Sequence, residues 1–185
     1  MPWQKRVADF FTLTRAPLAL AVIGLGLQRG RDGIEVAWLL LVVAATVDTL
    51  DGHFARMAPG DYKTWVGSHD LLFDVLFSTA LLIYLVLAGY IGPWLAAVYL
   101  VFWLVMTTLT DGAANVRAVI FQGPIYLKTV FAAIEANSSV FWWTVAWLLI
   151  MGLFAGRRFL YVRVPALLRD FSTSVHNFSQ RRRKS

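Results

Sequence analysis

The sequence predicts an all-α integral membrane protein with six transmembrane helices. Of its 185 residues, 58% are hydrophobic and 15% are charged, which is too apolar for a soluble domain with a polar surface. The apolar residues form long runs, and the length allows about six spans of roughly 20 residues in one domain. Strand-like alternation is lacking, and a helix satisfies its own backbone hydrogen bonds in lipid.

Six apolar runs define the predicted spans, which we place at residues 12–27, 34–56, 65–88, 93–110, 118–136 and 140–159. Together they form a single domain, residues 12–159, followed by a basic tail at residues 160–185. Before the first span, MPWQKRVADFF at residues 1–11 mixes aromatic and basic residues, which predicts an interfacial amphipathic helix. The first run also resembles a cleaved signal peptide, but cleavage would leave an odd number of spans.

The basic residues predict the orientation of the chain. Its net charge is +6, and every Lys and Arg except Arg29 and Arg31 falls on one side when the N-terminus is cytoplasmic. We therefore expect a multi-pass protein with both termini in the cytoplasm. On a membrane protein, a basic tail such as RRRK at residues 181–184 indicates contact with anionic membrane lipids, and we expect no nucleic acid partner. The chain has no cysteine, which excludes disulfides and thiolate metal ligands.

Four aspartates lie at the facing ends of the second and third predicted spans: Asp48, Asp51, Asp70 and Asp74. The short loop between these spans makes them antiparallel neighbours, so the two pairs can face each other near the cytoplasmic end. Helical spacing places Gly52 and Ala55 beside the first pair and Gly67 beside the second. Because small residues let a ligand approach the backbone closely, this arrangement predicts a pocket.

The aspartates require positive charge, because each one costs about 2.5–3.5 kcal/mol at membrane depth. Arg56 and Lys63 lie nearby and supply two positive charges at most. One or two divalent cations would balance the site, and carboxylate ligands favour hard ions such as Mg²⁺ or Mn²⁺. A helix cap or salt bridge explains one pair of aspartates, but it explains four converging aspartates poorly.

Three stretches of the chain resemble motifs of the class I CDP-alcohol phosphatidyltransferase family. DTLDGHFAR at residues 48–56, followed by GSHDLLFD at residues 67–74, is similar to its signature, DxxDGxxAR and then a glycine and two aspartates. FTLTRAP at residues 11–17 resembles an N-terminal TLxR stretch, and LKT at residues 127–129 resembles a short KT motif. The chain departs from the signature at Gly67, which stands three residues before the third aspartate instead of four. The interval from Arg56 to Asp70 is also one residue longer than in the signature.

The resemblance implies a homodimeric enzyme that moves a phosphatidyl or related phosphoalcohol group from a CDP-linked lipid, such as CDP-diacylglycerol, to a small alcohol acceptor, releasing CMP. It implies two Mg²⁺ or Mn²⁺ ions on the four aspartates, with Asp74 as both ligand and general base. It further implies that Gly52, Ala55 and Gly67 seat the nucleotide and that Arg56 contacts its phosphates.

Other functions remain open from sequence alone. Arg117 and Lys128 could bind an acceptor phosphate, or could reflect only the cytoplasmic bias of basic residues. His53 and His69 lie beside the aspartates but off their main face, and we do not expect them to be ligands. Intramembrane carboxylates also occur in divalent-cation or proton-coupled transporters, although polar residues should then continue to the outer side. Membrane prenyltransferases are a third candidate, with longer chains and different aspartate motifs.

Overall fold

The computed structural model describes residues 2–57, 64–109 and 114–158, and all regular structure in these ranges is helical. A 3₁₀ turn, Gly30–Gly33, joins the first two of seven helices. The helices are α1 Trp3–Arg29, α2 Ile34–Met57, α3 Trp65–Ser68, α4 Asp70–Leu87, α5 Pro93–Leu109, α6 Ala114–Ala136 and α7 Ser139–Arg158. The predicted basic tail and Lys63 lie outside the described residues.

Within the part of the chain that the structure describes, three helical stretches are long and apolar enough to cross a membrane: Trp3–Ala55, Asp70–Leu87 and Ala118–Ala136. The first contains both α1 and α2. The apolar parts of α5 and α7, Pro93–Met106 and Ser139–Phe154, are shorter. These helices indicate a membrane protein, while six spans and their orientation stay predictions.

The helix boundaries differ from the predicted ones at two places. Residues 3–29 form one helix, so the structure contains no break between the predicted interfacial segment and the first span. The predicted third span is instead divided at His69, which has φ −112° and ψ 15°. The side chains of Ser68 and His69 lie 2.7 and 2.8 Å from the Trp65 carbonyl oxygen, and the His69 amide donates to Val66. Side-chain competition for a helix carbonyl explains this interruption.

The core lies between α1, α2, α4 and α6, with α5 and α7 at the periphery. Its centre consists of fully buried apolar side chains, including Val22, Ala37, Leu81 and Leu85. Because α1 packs against both α2 and α4, any polar residue on the buried face of α1 must meet residues of those two helices.

One end of the bundle is held by Arg31, in the turn between α1 and α2. Its guanidinium donates to the carbonyl oxygens of Ala88 (3.2 Å) and Gly89 (2.9 Å), which follow α4, and it lies 5.2 Å from the ring centre of Tyr90. Glycine suits both turns, because Gly30 and Gly89 have φ values of 54° and 71°. Arg31, a basic residue on the unexpected side of the predicted topology, therefore has a structural role.

Helix α7 is attached to α2 by two tryptophans that donate in opposite directions. Trp38 of α2 donates to the Thr144 hydroxyl at 3.1 Å, and Trp147 of α7 donates to the Thr46 hydroxyl at 2.9 Å. Each indole N–H thus has a partner inside an apolar interface, where an unpaired one would be costly.

Candidate functional site

A regular face of α1 brings a charged side chain into the interior. The buried residues of this helix follow the three- and four-residue spacing of one helical face: Ala8, Thr12, Arg15, Ala19, Val22 and Gly26. Arg15 is only 2% exposed. Its buried neighbours on this face are mostly small, which leaves room for a long side chain between α2 and α4.

Arg15 joins the four aspartates through the two terminal nitrogens of its guanidinium. Nη2 bonds the pair on α2, lying 2.6 Å from Asp48 Oδ1 and 2.9 Å from Asp51 Oδ2. Nη1 bonds the pair on α4, with Asp70 Oδ1 at 2.9 Å and Asp74 Oδ1 as its other acceptor. The planar fork of arginine suits this bridging, which a lysine ammonium could not reproduce.

Thr12 supports the cluster from one turn earlier on α1. Its hydroxyl lies 3.1 Å from Asp51 Oδ2 and 3.5 Å from Asp70 Oδ1. Asp51 is the most enclosed of the four aspartates, with a side chain 7% exposed, compared with 41% for Asp48 and 43% for Asp70. The bonds from Thr12 and Arg15 therefore satisfy the carboxylate that has least access to solvent.

The charges and donor atoms of the cluster fit a metal ion. Four carboxylates surround one guanidinium, so the cluster has a formal net charge of −3 when all four are ionised. Oxygen atoms of Asp48, Asp70 and Asp74 all lie within 4.8 Å of one another, and this group could hold a metal ion. A set of carboxylate oxygens alone favours a hard cation. Asp51 contacts Arg15 but is not a member of this group of three.

The remaining predicted site residues have different surroundings. Gly52 and Ala55 are half-buried on α2, and Lys128 is half-buried on α6. Gly67 is exposed, and its amide donates to the Thr64 hydroxyl that caps α3 at 2.9 Å. A Cβ at Gly67 would lie 3.0 Å from that hydroxyl oxygen, so the space beside this glycine is used by the helix cap. The side chains of Arg56 and Arg117 lie outside the described residues.

The two histidines next to the aspartates in sequence, His53 and His69, contact aromatic rings. His53 packs against Phe54 and Phe154, with ring centres 6.0 and 5.6 Å apart. The ring of His69 lies 4.6 Å from that of Trp65. That neither histidine is a metal ligand stays a prediction.

Sequence reasoning did not assign Arg15 to the site. Among the described residues, Arg15 on α1 supplies positive charge to the aspartates. The predicted contribution of Arg56 and Lys63 stays a prediction, because Lys63 and the side chain of Arg56 lie outside the described residues. A signal for this role exists, since Arg15 lies seven residues after Ala8 and seven before Val22, inside an otherwise apolar helical face. A charged residue at such a position needs a buried partner of opposite charge.

A cleft extends from the aspartates between α2, α4 and α6. Its cavity volume is about 70 Å³, and it is partly open. Its polar lining includes Arg15, Asp48, Asp74, Gln122 and Tyr126, and the rest of its lining is Ala44, Ala45 and Phe77. This volume is well below the range of about 300–1,000 Å³ for sites of drug-sized ligands, so the cleft has room only for a small group. Gln122 and Tyr126 were not among the predicted site residues.

Comparison with known proteins identifies no relative of this chain, because no family model, curated protein or solved structure matches it. Its function therefore has to be argued from the site itself and from the motifs.

Proposed function

We propose that this chain is a metal-dependent CDP-alcohol phosphatidyltransferase of phospholipid biosynthesis. It would move a phosphatidyl or related phosphoalcohol group from a CDP-linked lipid, such as CDP-diacylglycerol, to a small alcohol and release CMP. The observation that carries the proposal is the convergence of Asp48, Asp51, Asp70 and Asp74 on one buried arginine between apolar helices. These aspartates are the ones on which the motif resemblance depends.

The aspartates would supply the metal ligands, with Asp48 and Asp70 the most exposed of the four. Two Mg²⁺ or Mn²⁺ ions would offset the charge of the diphosphate and polarise the phosphoryl group that is attacked. Gly52, Ala55 and Gly67 would border the nucleotide, with Arg56 near its phosphates. Lys128 and Arg117 would serve an acceptor phosphate where the acceptor carries one.

Asp74 is the proposed general base. One of its oxygens accepts from Arg15, and the carboxylate also lines the cleft between α2, α4 and α6. In the proposed reaction it takes the proton of the acceptor hydroxyl, whose oxygen bonds to the phosphorus of the phosphatidyl group. The bond from that phosphorus to the bridging oxygen breaks, and CMP leaves with the electron pair.

The proposed reaction suits a site at one end of a helical bundle in a membrane. The donor would keep its acyl chains in lipid while its head group meets a water-soluble acceptor at the cytoplasmic leaflet. Both termini in the cytoplasm, six spans and a homodimer belong to the same proposal.

A cation or proton transporter is the alternative that intramembrane carboxylates favour. A transport route would have to continue past the aspartates toward the opposite end of α2 and α4. Among the described residues, that region is packed with buried apolar side chains, such as Ala37, Leu41, Leu81 and Leu85. This packing supports the transferase over the transporter.

The proposal is tested by incubating purified protein with Mg²⁺, CDP-diacylglycerol and a panel of alcohols, including glycerol 3-phosphate, inositol phosphate and serine, and measuring CMP. We expect CMP release with at least one acceptor and its loss in EDTA, restored by Mg²⁺ or Mn²⁺. Turnover that persists unchanged in EDTA contradicts the metal mechanism. Cation or proton flux into proteoliposomes without CMP release supports the transporter instead.

A further inference from the structure

The cleft between α2, α4 and α6 contains a buried hydrogen-bond donor without a partner. Gln122 Nε2 is shielded from solvent, and among the side chains that the structure describes it is the one buried nitrogen or oxygen without a hydrogen-bond partner. A buried amide in this state costs about 1–3 kcal/mol, so such groups normally have a reason to persist. Its place in the cleft lining indicates a ligand that accepts a hydrogen bond there.

Tyr126, one helical turn after Gln122, presents an acceptor to the same cleft. Ser78 donates to the backbone carbonyl of Asp74 at 2.8 Å, so its single proton is already used. The Tyr126 hydroxyl, 3.0 Å from Ser78 Oγ, must therefore donate to Ser78. The phenol oxygen therefore uses its proton on Ser78 and keeps its acceptor capacity, and Tyr126 lines the cleft.

The charges of the cleft oppose an anionic ligand in the absence of metal. Both terminal nitrogens of Arg15 are already bonded to aspartates, while the carboxylates of Asp48 and Asp74 also line the cleft. The available groups are thus one amide donor and several oxygen acceptors. A hydroxyl group, which donates and accepts at once, matches this set, whereas a phosphate would find a single neutral donor among negative charges.

We propose that this cleft binds the hydroxyl-bearing, uncharged part of a small polyol, with Gln122 Nε2 donating to a hydroxyl oxygen and with Asp48, Asp74 or Tyr126 accepting from a hydroxyl. The carbon atoms of the ligand lie against Ala44, Ala45 and Phe77. The next step rests on the transferase function proposed above. In that case the ligand is the acceptor alcohol, and Gln122 contributes to its selection. Any phosphate of the acceptor stays outside the cleft.

The binding test does not require turnover. Purified wild-type protein in EDTA is mixed with glycerol, and saturation transfer from the protein to glycerol is measured by NMR. We expect transfer in wild type and a fall of about threefold to tenfold in apparent affinity in Gln122→Leu and Gln122→Glu, which both lack the amide donor. Gln28→Leu makes the same chemical change at the exposed end of α1 and should bind like wild type.

Inorganic phosphate added to the same samples tests the charge argument. We expect it to leave the glycerol signal unchanged, because the metal-free cleft carries surplus negative charge. Glycerol binding that is absent, that is equal in wild type and both Gln122 variants, or that phosphate displaces in wild type but not in Gln122→Leu, overturns the proposal.

A kinetic test then separates the two proposals. In the CMP assay, Gln122→Leu should raise KM for the acceptor by at least about threefold and leave KM for the CDP-linked lipid within about twofold of wild type. A rise only in KM for the donor contradicts the assignment of the cleft to the acceptor. If wild type releases no CMP but binds glycerol through Gln122, the transferase function fails while the polyol site stands.

Discussion

Two arginines at opposite ends of the bundle are held in contrasting ways. Arg15 is 2% exposed and bonds four carboxylates from two helices, whereas Arg31 lies at the surface and bonds backbone carbonyls after α4. These carbonyls carry no formal charge, so Arg31 only attaches the turn between α1 and α2 to the turn after α4. The four carboxylates that bond Arg15 carry more negative charge than one guanidinium can balance, so this end of the bundle needs further positive charge. Surplus negative charge distinguishes the candidate site from the end of the bundle that contains Arg31, which we call the structural end.

Removing Arg15 should have the largest effect. We expect Arg15→Met to lower the free energy of unfolding by about 3–5 kcal/mol in EDTA, because it leaves buried carboxylates without a counter-charge. Thermal unfolding in detergent measures this loss. Arg31→Met should cost less than about 1 kcal/mol, since its bonds are exposed.

Mg²⁺ should reduce the difference in stability between Arg15→Met and Arg31→Met. If the aspartates bind Mg²⁺, the ion supplies part of the missing charge, so Arg15→Met should gain more thermal stability from Mg²⁺ than Arg31→Met gains. Equal gains in both variants would show that the ion does not bind among these aspartates.

Two aspartate substitutions should separate proton transfer from donor binding at the candidate site. We expect Asp74→Asn to lower kcat by at least ~100-fold while it still binds the CDP-linked donor with metal, because the amide keeps the shape and cannot take a proton. Asp51→Asn, on the helix with Gly52 and Ala55, should lose donor binding as well. Asp32→Asn, in the turn that contains Arg31, serves as the control and should retain activity. A near wild-type rate for Asp74→Asn would assign the base to another group.

The bond from Thr12 should have a smaller effect than the arginine. Thr12→Val keeps the side-chain shape and removes a bond to the enclosed Asp51, so we expect a loss of about 1.5–3 kcal/mol in the free energy of unfolding. Thr79→Val is a matched control, because its hydroxyl donates only to a carbonyl of its own helix. Similar thermal shifts in both variants would show that Thr12 does not support Asp51.

At the end of the bundle that contains Arg31, backbone conformation should affect stability somewhat more than the arginine contact does. Gly89 has φ 71°, and we expect Gly89→Ala to cost about 1–2 kcal/mol in the free energy of unfolding. Gly24 lies inside α1, and a Cβ added there would meet no non-local atom within 4 Å, so Gly24→Ala should be neutral or stabilising. A stable Gly89→Ala would mean that this turn tolerates another conformation.

Local sequence patterns predicted the features that are formed within one helix or between two helices adjacent in sequence. The apolar runs predicted an all-helical fold, and the spacing of Asp48, Asp51, Asp70 and Asp74 predicted two acidic faces that meet across a short loop. Arg15 could not be paired with them from spacing alone, because that pairing depends on how α1 packs against α2 and α4. The break at His69 depends on side-chain hydrogen bonds to Trp65, which apolar periodicity does not encode. The role of Gln122 depends on its place in the lining of the cleft, which local sequence patterns do not encode.

The contacts between α2 and α7 also fix a direction. Trp38 meets Thr144, Thr46 meets Trp147, and His53 meets Phe154, so residue numbers increase together along both helices. The two helices are therefore parallel, and the last residues of α7 lie at the same end of the bundle as the aspartates.

The end of α7 can therefore report on which side of the membrane the carboxylates lie. A compartment-sensitive tag inserted directly after α7 is expected to show which face of the membrane the carboxylates adjoin, without a substrate or an assay of activity.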